Sequence, residues 1–182
     1  MKSGLTTRLD KSADILKALK AIGKKDVLVG IPESENVRDG DDIGNAAIGF
    51  INENGSPARN IPARPHLVPG VRGAQTETLP LLKSAAQATL SGNEGAATRD
   101  LNQAGFLAAN AVKGVIDQSG FAPLADSTVA ARARKGRKGA IAEMKSRANG
   151  GEPNNANAMP LVDTGKYRDS ITYIVRDKDA DS

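Results

Sequence analysis

A single histidine, an acidic trio and a basic run are the residues of this chain whose types and spacing bear on chemistry. His66 is the only histidine, so any Ser-His-Asp relay has to pass through it. It stands between Pro65 and Leu67, and no G-x-S-x-G turn or comparable nucleophile elbow accompanies it. A ring packed in, or lying on, a proline-rich strap is therefore expected rather than a general base. Asp39, Asp41 and Asp42 make a cluster of the kind that hydrolases and cation sites use. The alternate spacing and closing Glu of an EF-hand are missing, which favours a solvated loop over a cation site. The glycines at 70, 73, 92 and 95 fit neither the P-loop nor the dinucleotide fingerprint. Cysteine is absent, which removes disulfides, thiolate nucleophiles and sulfur-ligated metal together. The expectation is a protein that is not an enzyme, with no metal and no cofactor.

The basic run is the one feature with a physical partner in view. Arg132, Arg134, Lys135, Arg137, Lys138, Lys145 and Arg147 stand against one acid, Glu143. Such clusters bind phosphates through counterion release, but no aromatic residues are interleaved for base stacking. A solvated basic loop, a docking site for an acidic neighbour and a DNA-facing pore lining all fit. Residues 33–42 have the opposite character, with five acids and one Arg. This asymmetry points to surfaces that meet charged partners, copies of the same chain included. The residues expected at such an interface are Asp39, Asp41, Asp42 and Arg64, together with the seven basic residues.

The elements that position these residues are legible to different degrees. Asp10 or Ser12 can cap a first helix whose stripe is Ile15, Leu16, Leu19 and Ile22, closed by Gly23. Asp26 to Ile31 reads as a buried strand ended by Pro32, and residues 33–42 read as a loop. Ile43 to Glu53 has helical spacing at Ala46, Ala47, Phe50 and Ile51, ended by Asn54-Gly55. Four prolines in residues 57–69 (Pro57, Pro62, Pro65, Pro69) predict an extended strap without helix. Leu79, Leu82, Ala86 and Leu90 mark a helical face, with Pro80 in its first turn or kinking a longer helix. A second long helix runs from about Ala96 to Asp117, its face mostly alanine, and Ser119-Gly120 closes it.

Farther along, Asp126-Ser127-Thr128 offers caps for a short basic helix. Residues 136–159 hold Gly, Asn, Lys and Arg with little apolar content, which predicts a flexible loop ordered by partners. Order resumes at Pro160, then a short helix and a strand over residues 171–176, followed by a polar tail. With a further strand near residues 4–9, the elements make an α+β fold, a single domain spanning 1–182. Its small antiparallel or mixed sheet packs against two long helices, with extended flexible loops. No internal repeat is visible.

Composition limits the core. Trp is absent, and Phe and Tyr number three and two, so little burial comes from rings, which supply the largest area per residue. Modest stability alone, rising on assembly, is expected. No apolar run approaches the ~20 residues of a membrane span, and no signal-peptide core opens the chain. A soluble, unexported chain is expected.

Four segments together resemble a known family. Asn60-Ile61-Pro62-Ala63-Arg64-Pro65-His66-Leu67 resembles the I-P-A-R-P-F-L strap of the small neck and tail-completion proteins of long-tailed bacteriophages. Ala46 to Ser56 is similar to their helix ending in E-x-G-T/S. Phe121 to Thr128, with Pro123 and Leu124, resembles the P-L element that starts a basic helix in them. Pro160 to Ile171 resembles their P-L-x-D-T-G-x-L-x-x-S-I signature, matching at Asp163, Thr164, Gly165 and Ser170. The physical reading agrees: Asp163 or Thr164 can cap the short helix, and Gly165 permits a tight start. The chain departs from the pattern at His66, where Phe is usual, at Asn54, where an aromatic is frequent, and at Tyr167, where Leu is usual. These departures imply weaker aromatic packing of the strap.

The resemblance implies a virion protein of the head-to-tail junction, assembled in the bacterial cytoplasm. It implies a homo-oligomeric ring on the order of six copies or a multiple, closed by rotation. Head-completion proteins on one side and a tail terminator or tail tube on the other are the implied partners, with DNA passing through the channel. A tail terminator, and a basic DNA-binding packaging accessory, are the alternatives. Acidic 33–42 and basic 132–147 segments meeting across the interface would steer register more than add affinity.

Overall fold

The computed structural model of the chain describes residues 12–37 and 43–178. The strand expected near residues 4–9, and Asp39, Asp41 and Asp42, lie outside them. The chain is α+β: among the described residues eight α-helices and two strands follow one another, with two turns of 3-10 helix.

Glu94–Gln118, here α5, organises everything else. Asn93 caps it, its side chain accepting the Ala96 N–H at 3.1 Å, and Ser119 ends it in the left-handed region. Its buried positions are Ala97, Ala104, Gly105, Ala108, Ala109, Val112 and Ile116. A face of such small residues lets neighbours approach closely. Helix α4, Gln75–Leu90, packs along it, as does the short α3, Leu67–Gly73. On another side lies a two-stranded antiparallel sheet, β1 (Lys25–Gly30) with β2 (Thr172–Asp177). Its register runs from Lys25 opposite Asp177 to Gly30 opposite Thr172, and the ring of Tyr173 lies directly over Gly105.

The main core forms between these layers. Val112, Ile116, Tyr167 and Ile171 are buried, with Val29, Ile31, Ile48, Leu67, Leu161 and Val162 packed around them. Tyr167 belongs to the one-turn helix α8, Lys166–Asp169. Two further helices, α6 (Asp126–Arg134) and α7 (Lys138–Ala148), make a hairpin with its own cluster of Leu124, Val129, Ala140 and Ala158. The first helix, α1 (Ser12–Ile22), lies against α4. No helix among the described residues is long and apolar enough to cross a membrane.

Several expectations change. Residues 136–159 are not a loop throughout, because α7 occupies Lys138–Ala148. The strap is extended only between a turn at Pro57–Arg59 and α3. Pro69 is the third residue of α3, where a missing N–H is harmless. The acidic segment begins with a turn of 3-10 helix at Glu33–Glu35. Strand β1 is half-buried rather than buried, with Leu28 exposed. Helix α2, Asn45–Asn54, buries Asn45 and Gly49 while Phe50 is 71% exposed, so its inner face lies one residue away from the expected one. Leu79, Leu82 and Leu90 face outward, and α4 instead turns Thr78 and Ala85 onto α5. Pro80 sits inside α4, beyond its first turn. The Ile15, Leu16 and Leu19 stripe of α1 is also more than half exposed.

Candidate functional site: an arginine cleft

The four segments read from the sequence converge. A cleft of about 450 Å³ is lined by Ile48 and Asn52 of α2, by Asn60, Ile61, Pro62 and Arg64 of the strap, and by Pro123, Leu124, Ala125 and Thr128. Arg132, Leu161, Asp163, Thr164, Gly165 and Tyr167 complete it.

The strap owes its place to the end of α2. Gly55 adopts φ 75°, and a Cβ there would lie 2.8 Å from the Ala63 nitrogen, so only glycine admits the strap at this distance. Arg64 donates its N–H to the Asn52 carbonyl at 2.6 Å, and Ser56 pairs with Ile61. Glu53 then serves as the cap of a helix that begins fourteen positions later. Its carboxylate accepts the N–H groups of His66 (2.7 Å), Leu67 (2.9 Å) and Val68 (3.0 Å). Partial burial works to raise the Glu53 pKa, but these three donors and the nearby His66 ring hold it below the ordinary carboxylate value. Glu53 was not singled out from the sequence, although it is the E of the E-x-G-S segment. Glu53→Ala is expected to cost about 1–3 kcal/mol, the penalty of stranding the part-buried His66 and Leu67 N–H donors and losing the helix cap. A midpoint by thermal unfolding within about 1 °C of the parent would remove Glu53 from this role.

His66 is fully buried. Its Nδ1 lies 2.7 Å from the Arg64 carbonyl, which only accepts, so Nδ1 carries the proton. In the neutral ring Nε2 then accepts from the Tyr167 hydroxyl at 2.6 Å. The rings meet edge to face at 5.6 Å. Burial, with the Glu53 carboxylate nearby, raises the Tyr167 pKa well above that of a free phenol. Two of the three positions that depart from the family pattern, His66 and Tyr167, are thus each other's partners, and the strap is not loosened there.

The basic residues divide sharply by environment. Arg132 donates to the carbonyls of Met159 (2.9 Å) and Val162 (3.0 Å) and lies 3.8 Å from Asp163. Arg137 pairs with Asp163 at 3.1 Å. Arg147 bonds the Leu124 carbonyl, Asp126 (2.6 Å) and the fully buried Glu143 (2.9 Å). Glu143 also accepts from the Asn154 N–H and the Asn157 amide, while Asn155 donates to the Ser119 and Phe121 carbonyls. These bonds fix the stretch after α7 that composition alone marks as flexible. Arg134, Lys135, Lys138 and Lys145 are exposed.

Arg64 differs from all of these. It is 7% exposed, and its Nε is enclosed without a hydrogen-bond partner. Among the described residues its guanidinium makes no ion pair. Burial and the neighbouring Arg132 both press its pKa below the ordinary arginine value. Neither Asp163 nor Thr164 is a side-chain N-cap of α8. Gly165 holds that place at φ 80°, with Thr164 Oγ1 accepting the Lys166 N–H at a long 3.3 Å. Ser170, buried, donates to the Tyr167 carbonyl at 2.7 Å, so the signature residues brace the wall of the cleft. Pro62 and Pro123 line it, and Pro65 is exposed beside it. Among the described residues no group of three or more acidic or histidine side chains is placed to hold a metal ion.

Comparison with protein-family models, with curated proteins and with solved structures gives no match to this chain.

Proposed function

We propose that the chain is a structural subunit of the head-to-tail junction of a long-tailed bacteriophage, acting by assembly into a ring that joins the filled head to the tail. The observation that carries this reading is the convergence of the four family-like segments. Residues 46–56, 60–67, 121–128 and 160–171 are far apart in sequence, yet all contribute to one cleft. A shared surface is the kind of feature that would keep four short patterns together in one chain.

The distribution of apolar side chains supports assembly. Phe50, Leu79, Val37, Phe106, Ile15, Leu16 and Leu19 are all more than half exposed in a chain poor in aromatics. Ile15, Leu16 and Leu19 are neighbours on α1, and a contiguous apolar patch of that kind marks contact with other proteins. The free basic residues of α6 and α7 give the subunit a positive face for an acidic neighbour or for DNA in a channel.

The test is the mass of the purified chain in solution, alone and then mixed with assembled tails and with filled, tail-less heads. Stable association with ring-sized mass in the complex is expected, and it identifies which side is joined first. A monomer that ignores both particles, but binds duplex DNA with a steep salt dependence, overturns the reading in favour of a packaging accessory.

A further inference from the structure

We propose that the Arg64–Arg132 cleft is a carboxylate receptor, filled on assembly by a glutamate side chain from the Glu33–Glu35 turn of a second copy of the chain. Four observations lead there. Arg64 is nine-tenths buried and lines the cleft, and its Nε is enclosed without a hydrogen-bond partner. Arg132 and Arg137 share the single carboxylate of Asp163, which leaves no anion of the cleft wall for the Arg64 guanidinium. The remaining walls are largely apolar: Ile48, Ile61, Pro62, Pro123, Leu124 and Leu161. Finally, Glu33 and Glu35 are exposed acids followed by Val37, which is 80% exposed, so the segment is acidic with an exposed apolar flank.

The chemistry favours a carboxylate over a nucleic-acid phosphate. A planar guanidinium matches a carboxylate in a bidentate fork. Its charge here lies recessed beneath an apolar rim, where a protein side chain can reach and the rigid backbone of a duplex cannot. Duplex contact would fall instead on the exposed Arg134, Lys135, Lys138 and Lys145. Donor turn and receptor cleft are neighbouring patches, with Asp163 and Thr164 bordering both, and a turn-to-cleft contact repeated in one direction is the head-to-tail type that generates rings.

The occupant rests on the assembly reading above, whereas the affinity of the cleft for a carboxylate does not, and the experiment separates them. The probe is a synthetic peptide of residues 30–37, titrated against the full chain, its Arg64→Met variant and its Arg64→Lys variant. Methionine keeps the apolar stem and removes the charge. At least a tenfold loss of peptide affinity is expected for Arg64→Met and a smaller loss for Arg64→Lys. The unfolding midpoint of Arg64→Met should be equal to or above that of the parent, since an uncompensated buried charge has been removed. In the mass measurement, Arg64→Met and the Glu33→Gln/Glu35→Gln pair should each fail to form rings. Mixed together they should form heterodimers, because one intact cleft meets one intact turn.

Peptide binding that ignores Arg64 overturns the receptor, as does a midpoint several degrees lower in Arg64→Met, which would mark a structural cation. Rings formed normally by Arg64→Met overturn the proposal while leaving the junction reading in place. A chain that never self-associates, yet binds the peptide through Arg64, removes the second copy as occupant along with the ring. Displacement of the peptide by duplex DNA in an Arg64-dependent manner replaces the carboxylate by a phosphate.

Discussion

Replacing Glu143 by alanine is expected to destabilise the protein by about 3–5 kcal/mol, the usual result of removing one member of a buried ion pair. For a chain of this size that is roughly 10 °C in the unfolding midpoint. Glu143 is fully buried and accepts hydrogen bonds from Arg147, the Asn154 N–H and the Asn157 amide. Without it, Arg147 keeps only Asp126 and the Leu124 carbonyl, and its Nη2 is already buried without a partner. The loss should be local. Amide exchange should accelerate in α7 and residues 149–159, while the amides of α5 around Val112 keep their protection. A midpoint unchanged, or a uniform loss of protection across both helical layers, would remove Glu143 from the centre of the hairpin.

The same side chain gives the hairpin a dependence on pH. Burial works to raise the Glu143 pKa, but the hydrogen bonds from Asn157, Asn154 and Arg147 outweigh it and hold the carboxyl below its ordinary value of 4.5. A carboxyl that is more acidic folded than unfolded stabilises the fold above the unfolded value. That contribution is lost as the pH falls below 4.5 and through the folded value. Glu53, shifted the same way, adds to the slope. The Glu143→Ala variant should accordingly lose less stability on acidification than the parent.

What the sequence made legible follows from how each element is stabilised. Helix α5 was readable because its inward positions are alanine and valine at regular spacing, and its cap, Asn93, is adjacent. Helix α7 was hidden because its inward positions are Ala140 and Glu143, with Arg147 beyond. The helical period is present there, but a buried ion pair carries it, and a search for apolar stripes passes over charge. Helix α3 was hidden for another reason: its capping carboxylate, Glu53, is supplied by a different helix. In α4 the leucines gave a stripe of the right spacing on the wrong side, because close approach to α5 selects Thr78 and Ala85. The site shows the same limit. The sequence offers Arg64, Arg132, Arg137 and Arg147 as equivalent cations. Only packing separates the three that hold the fold together from the one whose Nε is enclosed without a hydrogen-bond partner.

Close approach also sets the other large effect. Gly70→Ala is expected to cost about 2 kcal/mol net. An added Cβ at Gly70 would lie 2.5 Å from the Val112 Cα, 2.7 Å from its Cγ2 and 2.8 Å from its nitrogen. Two of these obstacles are backbone atoms of α5, so relief requires α3 to move bodily. Overpacking of that kind costs about 1–3 kcal/mol or more, here at the upper end, against a gain of about 1 kcal/mol in helix propensity. Gly73→Ala supplies the control: its added Cβ meets nothing within 4 Å, so the expected change is neutral or a gain of up to about 1 kcal/mol. Urea unfolding of the two variants checks the pair, and equal small changes in both would mean that the α3–α5 contact yields easily. The consequence reaches the cleft, because α3 continues directly from the strap at His66. Lifting α3 from α5 draws the His66, Leu67 and Val68 N–H groups away from Glu53 and shifts Arg64 with them. Gly70→Ala should therefore weaken binding of the 30–37 peptide as well as stability, whereas Glu143→Ala, whose damage lies in α7, should weaken it less for the same loss of stability.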